Sequence, residues 1–309
     1  MGAGRGGGAA AAAPRSFPSL RYATPVIDLH AHTTFSDGTL TPAELVREAA
    51  RLGLRAVAVT DHDSVDGLEE ALAAGPRFGV EVVPGVEINL EHERVTMDLL
   101  GYFLNGLPGP ALRRELAALR RYRDERNRRI LARLAGLGLP LTEEELAAAA
   151  GHGAVGRPHI GEAMRRRGYV ASVAEAFDRY LRRGAPAWVD RRRLSLGRAL
   201  QLLLESGAVP VLAHPGIIRT DEAGLCRLVR EAAARGLAGI ECWYPKHDAA
   251  TVARCLALAE AHGLVATGGS DFHGSVKPDV RLGVGALGQP VPDEVLDRLR
   301  ERADALRPA

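Results

Sequence analysis

The chain has 309 residues, a formal net charge of +2 and an apolar fraction of 46%, which fits a globular protein large enough for one α/β unit with an insertion. No apolar run approaches the roughly 20 residues of a membrane-spanning helix. Cys226, Cys242 and Cys255 match no metal or redox spacing, which excludes a thiolate site and suits free thiols in a reducing cytoplasm.

Residues 1–22 are rich in Ala and Gly and read as a disordered tail, without the Leu-rich stretch of a secretory signal. Val26 to Leu29 is a short strand. Thr41-Pro42-Ala43-Glu44 opens a helix that Gly53 ends: Thr41 is the cap, Pro42 takes the first helical position and Glu44 completes a capping box. Strands follow at 56–60, 80–83 and 95–102, with a helix over 64–74. This rhythm predicts parallel strands joined by crossover helices. It stops at about residue 106. Helices are expected over 110–134, 142–150, 157–167 and 172–181, with no strand. This segment is basic: 19 Arg stand against 10 Asp or Glu between residues 106 and 193, so the remainder is net acidic. Basic segments attract anions such as phosphates. The run Arg191-Arg192-Arg193 reads as a solvated surface. The rhythm resumes with helices over 196–206, 222–235 and 249–262 and strands at 209–213, 238–242 and 264–267. The expected fold is a distorted (β/α)7 TIM-like barrel from residues 23–105 and 196–290. An all-helical insertion spans 106–195, and a C-terminal helix lies within 291–309.

The chemistry lies just beyond the strand ends. His30 and His32 follow the first strand, with Asp37 close behind. His62 follows the second and Glu87 the third. His214, Asp271 and His273 follow later ones. In a parallel β/α barrel those ends meet on one face, where active sites are built. The spacing of two in His30-x-His32, and again in Asp271-x-His273, puts both side chains on one side of an extended chain. A His and carboxylate set suits Zn²⁺, Mn²⁺ or Fe²⁺ and not a closed structural zinc site. Glu87 shared between two ions would hold them roughly 3.5–4 Å apart. Asp28, Asp61 and Asp63 are expected behind the ligands, orienting imidazoles.

These residues resemble the motifs of the PHP family, the polymerase and histidinol phosphatase superfamily. Asp28-Leu-His30-Ala-His32, Thr60-Asp-His62-Asp, Pro84-Gly-Val-Glu87, Leu212-Ala-His214-Pro and Gly269-Ser-Asp271-Phe-His273 carry the resemblance. Arg126-Asn127, Arg157-Pro-His159 and Ala176-Phe-Asp-Arg-Tyr-Leu181 are similar to segments of the stand-alone branch with a helical insertion. That branch includes nucleoside 3′,5′-bisphosphate phosphatases and a 5′→3′ exoribonuclease. The resemblance implies three cation subsites: His30, His32, Glu87 and Asp271; Asp37, His62 and His273; and Glu87 and His214 with a residue of the fourth strand. At that last position the family usually has His, whereas this chain has Asp98. A harder, charged ligand favours Mn²⁺ or Fe²⁺ there. His92 is a fallback expected in a turn.

The expected activity is hydrolysis of a nucleotide phosphate ester by metal-bound hydroxide, with two or three divalent ions. Arg157 and His159 are the first choices beside the reacting phosphate, and Arg126, Asn127, Arg129 and His247 are further substrate contacts. Arg can hold a phosphate through two parallel hydrogen bonds. The alternatives are an exoribonuclease on short 5′-phosphorylated RNA and a non-catalytic metal-binding module. The partner is a nucleotide or short oligonucleotide, with no membrane and no stable nucleic-acid complex. The oligomeric state is not legible.

Overall fold

The computed structural model describes residues 26–150 and 155–307; the tail expected over 1–22 lies outside the described residues. Seven strands form one mixed sheet in sequence order: β1 (Val26–Asp28), β2 (Leu54–Val59), β3 (Glu81–His92), β4 (Val95–Tyr102), β5 (Val209–Leu212), β6 (Gly239–Trp243) and β7 (Val265–Gly268). β1, β2 and β3 pair in parallel, as do β5, β6 and β7.

β4 departs from the expected parallel order, since it is antiparallel to both of its neighbours. The cause is local. Only Glu93 and Arg94 separate β3 from β4, and both adopt left-handed conformations, φ 48° and 69°. Two such residues close a tight hairpin whose twist matches the strands, whereas a parallel connection needs a dozen or more residues. Beyond the ends of β1 and β7 the chain segments meet, with a parallel bridge between Ala31 and Phe272.

α1 (Pro42–Leu52) begins with the expected capping box: the Thr41 hydroxyl accepts from the Glu44 N–H at 3.3 Å, and the Glu44 carboxylate accepts from the Thr41 N–H at 3.0 Å. α2 (Leu68–Phe78) starts later than the expected Ser64; the chain first turns through Asp63, which takes a left-handed φ of 51°. The basic segment holds α3 (Pro110–Gly136), α4 (Glu143–Ala150), α5 (Arg157–Arg166) and α6 (Val173–Ala176), which runs into a π-turn at Phe177–Leu181. No strand lies between residues 106 and 193 among the described residues. α7 (Leu196–Glu205), α8 (Glu222–Ala233), α9 (Ala249–His262) and α10 (Glu294–Ala305) complete the chain. No described helix is long and apolar enough to cross a membrane.

Alternation along the strands divides the core. Val57 and Val59 face α1 and α2, while Ala56 and Ala58 face the other way, against a second cluster with Leu100, Val211 and the α10 residues Leu296 and Leu299. A third cluster, including Ile130, Leu134, Leu146, Ile160, Met164, Ala176 and Leu181, lies within the helical segment. The helical segment therefore has its own apolar core, while Leu112, Leu116 and Leu119 at the start of α3 pack into the first cluster and Arg123 and Arg191 tie the segment to Asp63.

Candidate metal centre

Tight backbone pairing brings the strand-end groups together. His32 N–H donates to Phe272 O at 2.9 Å and Asp271 N–H donates to His30 O at 2.8 Å, so the segments after β1 and β7 lie side by side. The result is a packed group of imidazoles. His32 lies over His273 with ring centroids 4.0 Å apart, 4.6 Å from His62 and 5.2 Å from His30, and His30 lies 5.6 Å from His214.

Glu87 sits at the middle. Its Oε2 is 3.0 Å from His62 Nδ1, 3.3 Å from His32 Nε2 and 3.4 Å from His30 Nε2, and its Oε1 is 3.0 Å from His214 Nε2. Asp271 Oδ1 is 3.2 Å from His32 Nε2. Asp37 reaches His273 Nε2 at 3.1 Å and His62 Nε2 at 3.9 Å. Asp98 Oδ2 lies 4.0 Å from His214 Nε2, and its Oδ1 accepts from Asn89 Nδ2 at 2.7 Å. Candidate ligand atoms fall within 4.8 Å of one another in four overlapping groups: His32, Asp37, His62 and His273; His30, His32 and Asp271; His30, Glu87 and His214; and His62, Glu87 and Asp98. His92 lies apart, at the hairpin end of β3, with its Nε2 3.1 Å from Glu231.

The residues fit divalent cations on an observation independent of motif. His30 Nε2, His32 Nε2, Asp37 Oδ1 and Glu87 Oε2 are buried and have no hydrogen-bond partner. Leaving one buried polar atom unsatisfied costs about 1–3 kcal/mol, and the two imidazole nitrogens lie 3.4 and 3.3 Å from Glu87 Oε2. The charges agree. Burial opposes ionisation of Glu87, yet His62 and His30 hold its carboxyl well below the usual range. Burial also opposes protonation of His62, but Glu87 and Asp37 push it up to about 10. For Asp98, burial and then the Glu87 charge raise the carboxyl. A cluster that holds this much mutual charge is suited to cation binding.

The aspartates behind the ligands act on backbone and loops, not on imidazoles as expected. Asp28 accepts from the N–H groups of His30, Ser270 and Gly283 at 3.1, 2.9 and 2.7 Å. Asp61 accepts from Thr33 N–H at 2.8 Å and from the hydroxyls of Thr33 and Ser36 at 2.6 and 2.5 Å, fixing the loop that carries Asp37. Asp63 faces the helical segment: Arg123 pairs with it, Arg191 reaches it at 2.9 Å, and Arg120 donates to its carbonyl at 2.8 Å. Arg191 and Arg193 are thus not the solvated run expected, since Arg193 also bonds Asn89 at 2.9 Å and Glu91 at 3.1 Å. The adjacent acceptors on β3 and the loop after β2 outcompete water.

The substrate candidates divide. Arg126 and Asn127 are buried on α3 and bond each other at 3.0 Å, and Arg129 is exposed. Among the described residues Arg126 makes no ion pair. Burial and the charges of Arg191, Arg157, Arg123 and Arg193 push its guanidinium down to about 9. Arg157 stacks on Trp188 at 4.6 Å and Phe177 at 5.6 Å, and donates to Leu181 O at 3.1 Å, so the π-turn wraps it. His159 Nδ1 accepts from Gly156 N–H at 3.1 Å. His247 is buried, and both ring nitrogens are bonded to backbone, Nδ1 to Cys242 O at 2.9 Å and Nε2 to Gly216 N–H at 3.1 Å. Sequence reasoning overlooked Glu241 and Lys277. Lys277 Nζ and the Tyr244 hydroxyl donate to Asp271 Oδ2 at 2.8 and 3.2 Å. An acidic residue inside the apolar strand Gly239–Trp243 was the available signal for Glu241.

Comparison with known proteins gives consistent results. The PHP domain model matches residues 28–156. The 3′,5′-nucleoside bisphosphate phosphatase of Chromobacterium violaceum is 33% identical over 80% of this chain and 87% of its own length. The 5′-3′ exoribonuclease Rnm of Salmonella typhimurium is 33% identical over 80% of this chain and 85% of its own. Among solved structures, a Bifidobacterium adolescentis protein described as a metal-dependent phosphoesterase superposes with a TM-score of 0.75 at 29% identity, covering 90% of this chain and 96% of that one.

Proposed function

The chain belongs to the PHP domain family and is a metal-dependent phosphoester hydrolase; from that premise we propose that it removes a phosphate from a nucleotide carrying a second phosphate, such as a nucleoside 3′,5′-bisphosphate. The observation that carries the nucleotide reading is Arg126, a buried guanidinium crowded by four other arginines and with no ion pair among the described residues. Arg123 and Arg191 share Asp63 and Arg193 has Glu91, whereas Arg126 has no carboxylate among the described residues, and a buried charge without a counter-charge is costly. The name of the Chromobacterium relative supports the same substrate class.

In this reading His30, His32, Glu87 and Asp271 hold one cation. His32, Asp37, His62 and His273 surround a second. Glu87, His214 and Asp98 hold a third, with Mn²⁺ or Fe²⁺ favoured by the aspartate. Bound divalent ions supply an activated water at neutral pH and neutralise phosphoryl charge. The chain's own residues do the rest. Glu87 is shared between subsites, and Asp61 keeps the Asp37 loop in place. Arg126 and Arg157 hold the phosphate that is not cleaved, with Arg157 preset by Trp188. The helical segment 106–195 is the unit that caps the substrate, and the sheet is read as a TIM-like barrel closed by the Ala31–Phe272 pairing.

The test is phosphate release and product mass from adenosine 3′,5′-bisphosphate, AMP and a short 5′-phosphorylated RNA, with Mn²⁺ and with chelator. Phosphate from the bisphosphate alone is expected. Mononucleotides released from RNA would move the assignment to the activity named for the Salmonella relative. Turnover of none of the three would remove the nucleotide reading.

Arg126→Met is expected to raise KM for the bisphosphate by about 10- to 100-fold, the loss of a charged hydrogen bond, with kcat and metal content unchanged. Because the guanidinium is buried without an acid, the variant should melt at the same or a higher temperature. An unchanged KM would end its role as an anion contact.

The protonation of the cluster gives a pH signature. In chelated protein, the stability contributed by charged His62 is full below the unfolded value of about 6.5 and is lost as pH rises through about 10. Cations require the imidazoles deprotonated, so their contribution grows over that interval. The melting-temperature gap between Mn²⁺-loaded and chelated protein should therefore widen from about pH 6 to 8.5. A gap that stays constant or narrows would contradict it.

A further inference from the structure

Glu241 is fully buried on β6 and lies outside the four candidate ligand groups. Its two oxygens serve two different ligands. Oε1 is 3.0 Å from His30 Nδ1, and Oε2 accepts from the backbone N–H of His214 at 2.8 Å. We infer that Glu241 is the positioning residue of this centre: it fixes His30 with the proton on Nδ1 and Nε2 turned to the cation, and it holds the strained backbone that presents His214. The inference rests on reading the cluster as a metal centre.

Three further features support it. His214 has φ 29° and ψ 58°, a conformation that persists only where surrounding contacts enforce it, at a cost of about 1–3 kcal/mol. The 2.8 Å bond to Glu241 is such a contact. Second, the register between β6 and β7 slips immediately after Glu241, between Glu241 and Trp243. A bulge of this kind re-aims a side chain. Third, the carbonyl of Cys242, inside that irregularity, is bound by His247 Nδ1, while His247 Nε2 accepts from Gly216 N–H in the turn after His214. A Cβ at Gly216 would sit 2.6 Å from the His247 ring. His247 thus pins the bulge to the turn after His214, with Glu241 bridging from the bulge to His214 itself.

The amide of Gln cannot do what this carboxylate does. It offers one acceptor and one donor. If its oxygen faces the His214 N–H, its NH₂ faces His30 Nδ1, which must then accept. The His30 proton moves to Nε2 and blocks the cation. If the oxygen faces His30, two donors oppose each other at the strained His214.

The experiment compares parent and Glu241→Gln protein by metal content, by competition with a chelator for Zn²⁺, and by long-range ¹H–¹⁵N NMR of ¹⁵N-histidine in the zinc-loaded proteins. The expected result is Zn²⁺ affinity lower by about 10- to 100-fold. The His30 Nδ1–H signal should be lost or split. A residue with a merely structural role would lower the melting temperature without moving the tautomer. Unchanged affinity with an unchanged tautomer overturns the inference. If Glu241→Gln does not fold, Glu241→Asp serves, since one methylene less lets the carboxylate reach only one of its two partners. Parental affinity in that variant overturns the inference too. Absence of bound metal in the parent would instead overturn the metal-centre reading.

Discussion

Glu87→Gln is expected to reduce kcat/KM by at least about 10³-fold, roughly 4 kcal/mol of transition-state stabilisation, and to leave purified protein short of metal. Among the described residues no other side chain approaches four imidazoles: His30, His32, His62 and His214 all lie 3.0–3.4 Å from its two oxygens. The Gln isostere keeps the volume and loses one acceptor and the charge. It therefore weakens every subsite that shares the residue while leaving the packing intact. Elemental analysis alongside steady-state kinetics separates the outcomes. A variant with full metal and parental kcat/KM would refute the central role of Glu87.

Asp63→Asn should be the most destabilising single change outside the apolar core, by about 3 kcal/mol. Asp63 and Arg123 are buried, and Arg191 is half-buried, so the two guanidinium groups share one shielded carboxylate. Asn tolerates the left-handed backbone at this position, φ 51°. The substitution therefore removes charge without adding strain. What remains is two guanidinium groups with no anion between them. Urea unfolding measures the loss, and limited proteolysis should show cuts within 106–195 before the rest. Adding Arg123→Met to the variant should recover part of the stability. Unfolding and cleavage patterns like those of the parent would show that the helical segment is held in another way.

Most candidate ligands were legible because they follow a strand end in a short motif, and parallel topology carries such ends to one place; Glu87, expected after the third strand, instead sits within β3, opposite Leu100 in the ladder with β4. His30, His32, His62, Glu87, Asp271 and His273 needed no knowledge of packing. Glu241 was not legible in this way. A lone Glu within an apolar strand announces burial but not its partners, which lie 211 and 27 residues away. Arg191 was misread because adjacent arginines look solvated on paper, while the carboxylate that binds it is 128 residues distant. The helices followed from caps and periodicity. The direction of β4 did not, because strand patterning records which face is buried and says nothing of which way the neighbour runs.

That hairpin has a consequence for how the centre can change over evolution. Most candidate ligands follow strand ends, where loops may grow or shrink freely. β4 runs against its neighbours, and Asp98 lies inside a paired ladder, opposite Asn89 and one rung from the pair of Ile88 with Leu99. Its placement is counted from the Glu93-Arg94 turn as on a ruler. One residue inserted in that turn would shift the count by one and exchange inward for outward positions, removing the aspartate from the cluster while leaving every motif in the sequence untouched. Under the proposed ligand set, a distant turn of two residues thus sets whether the aspartate reaches the cluster.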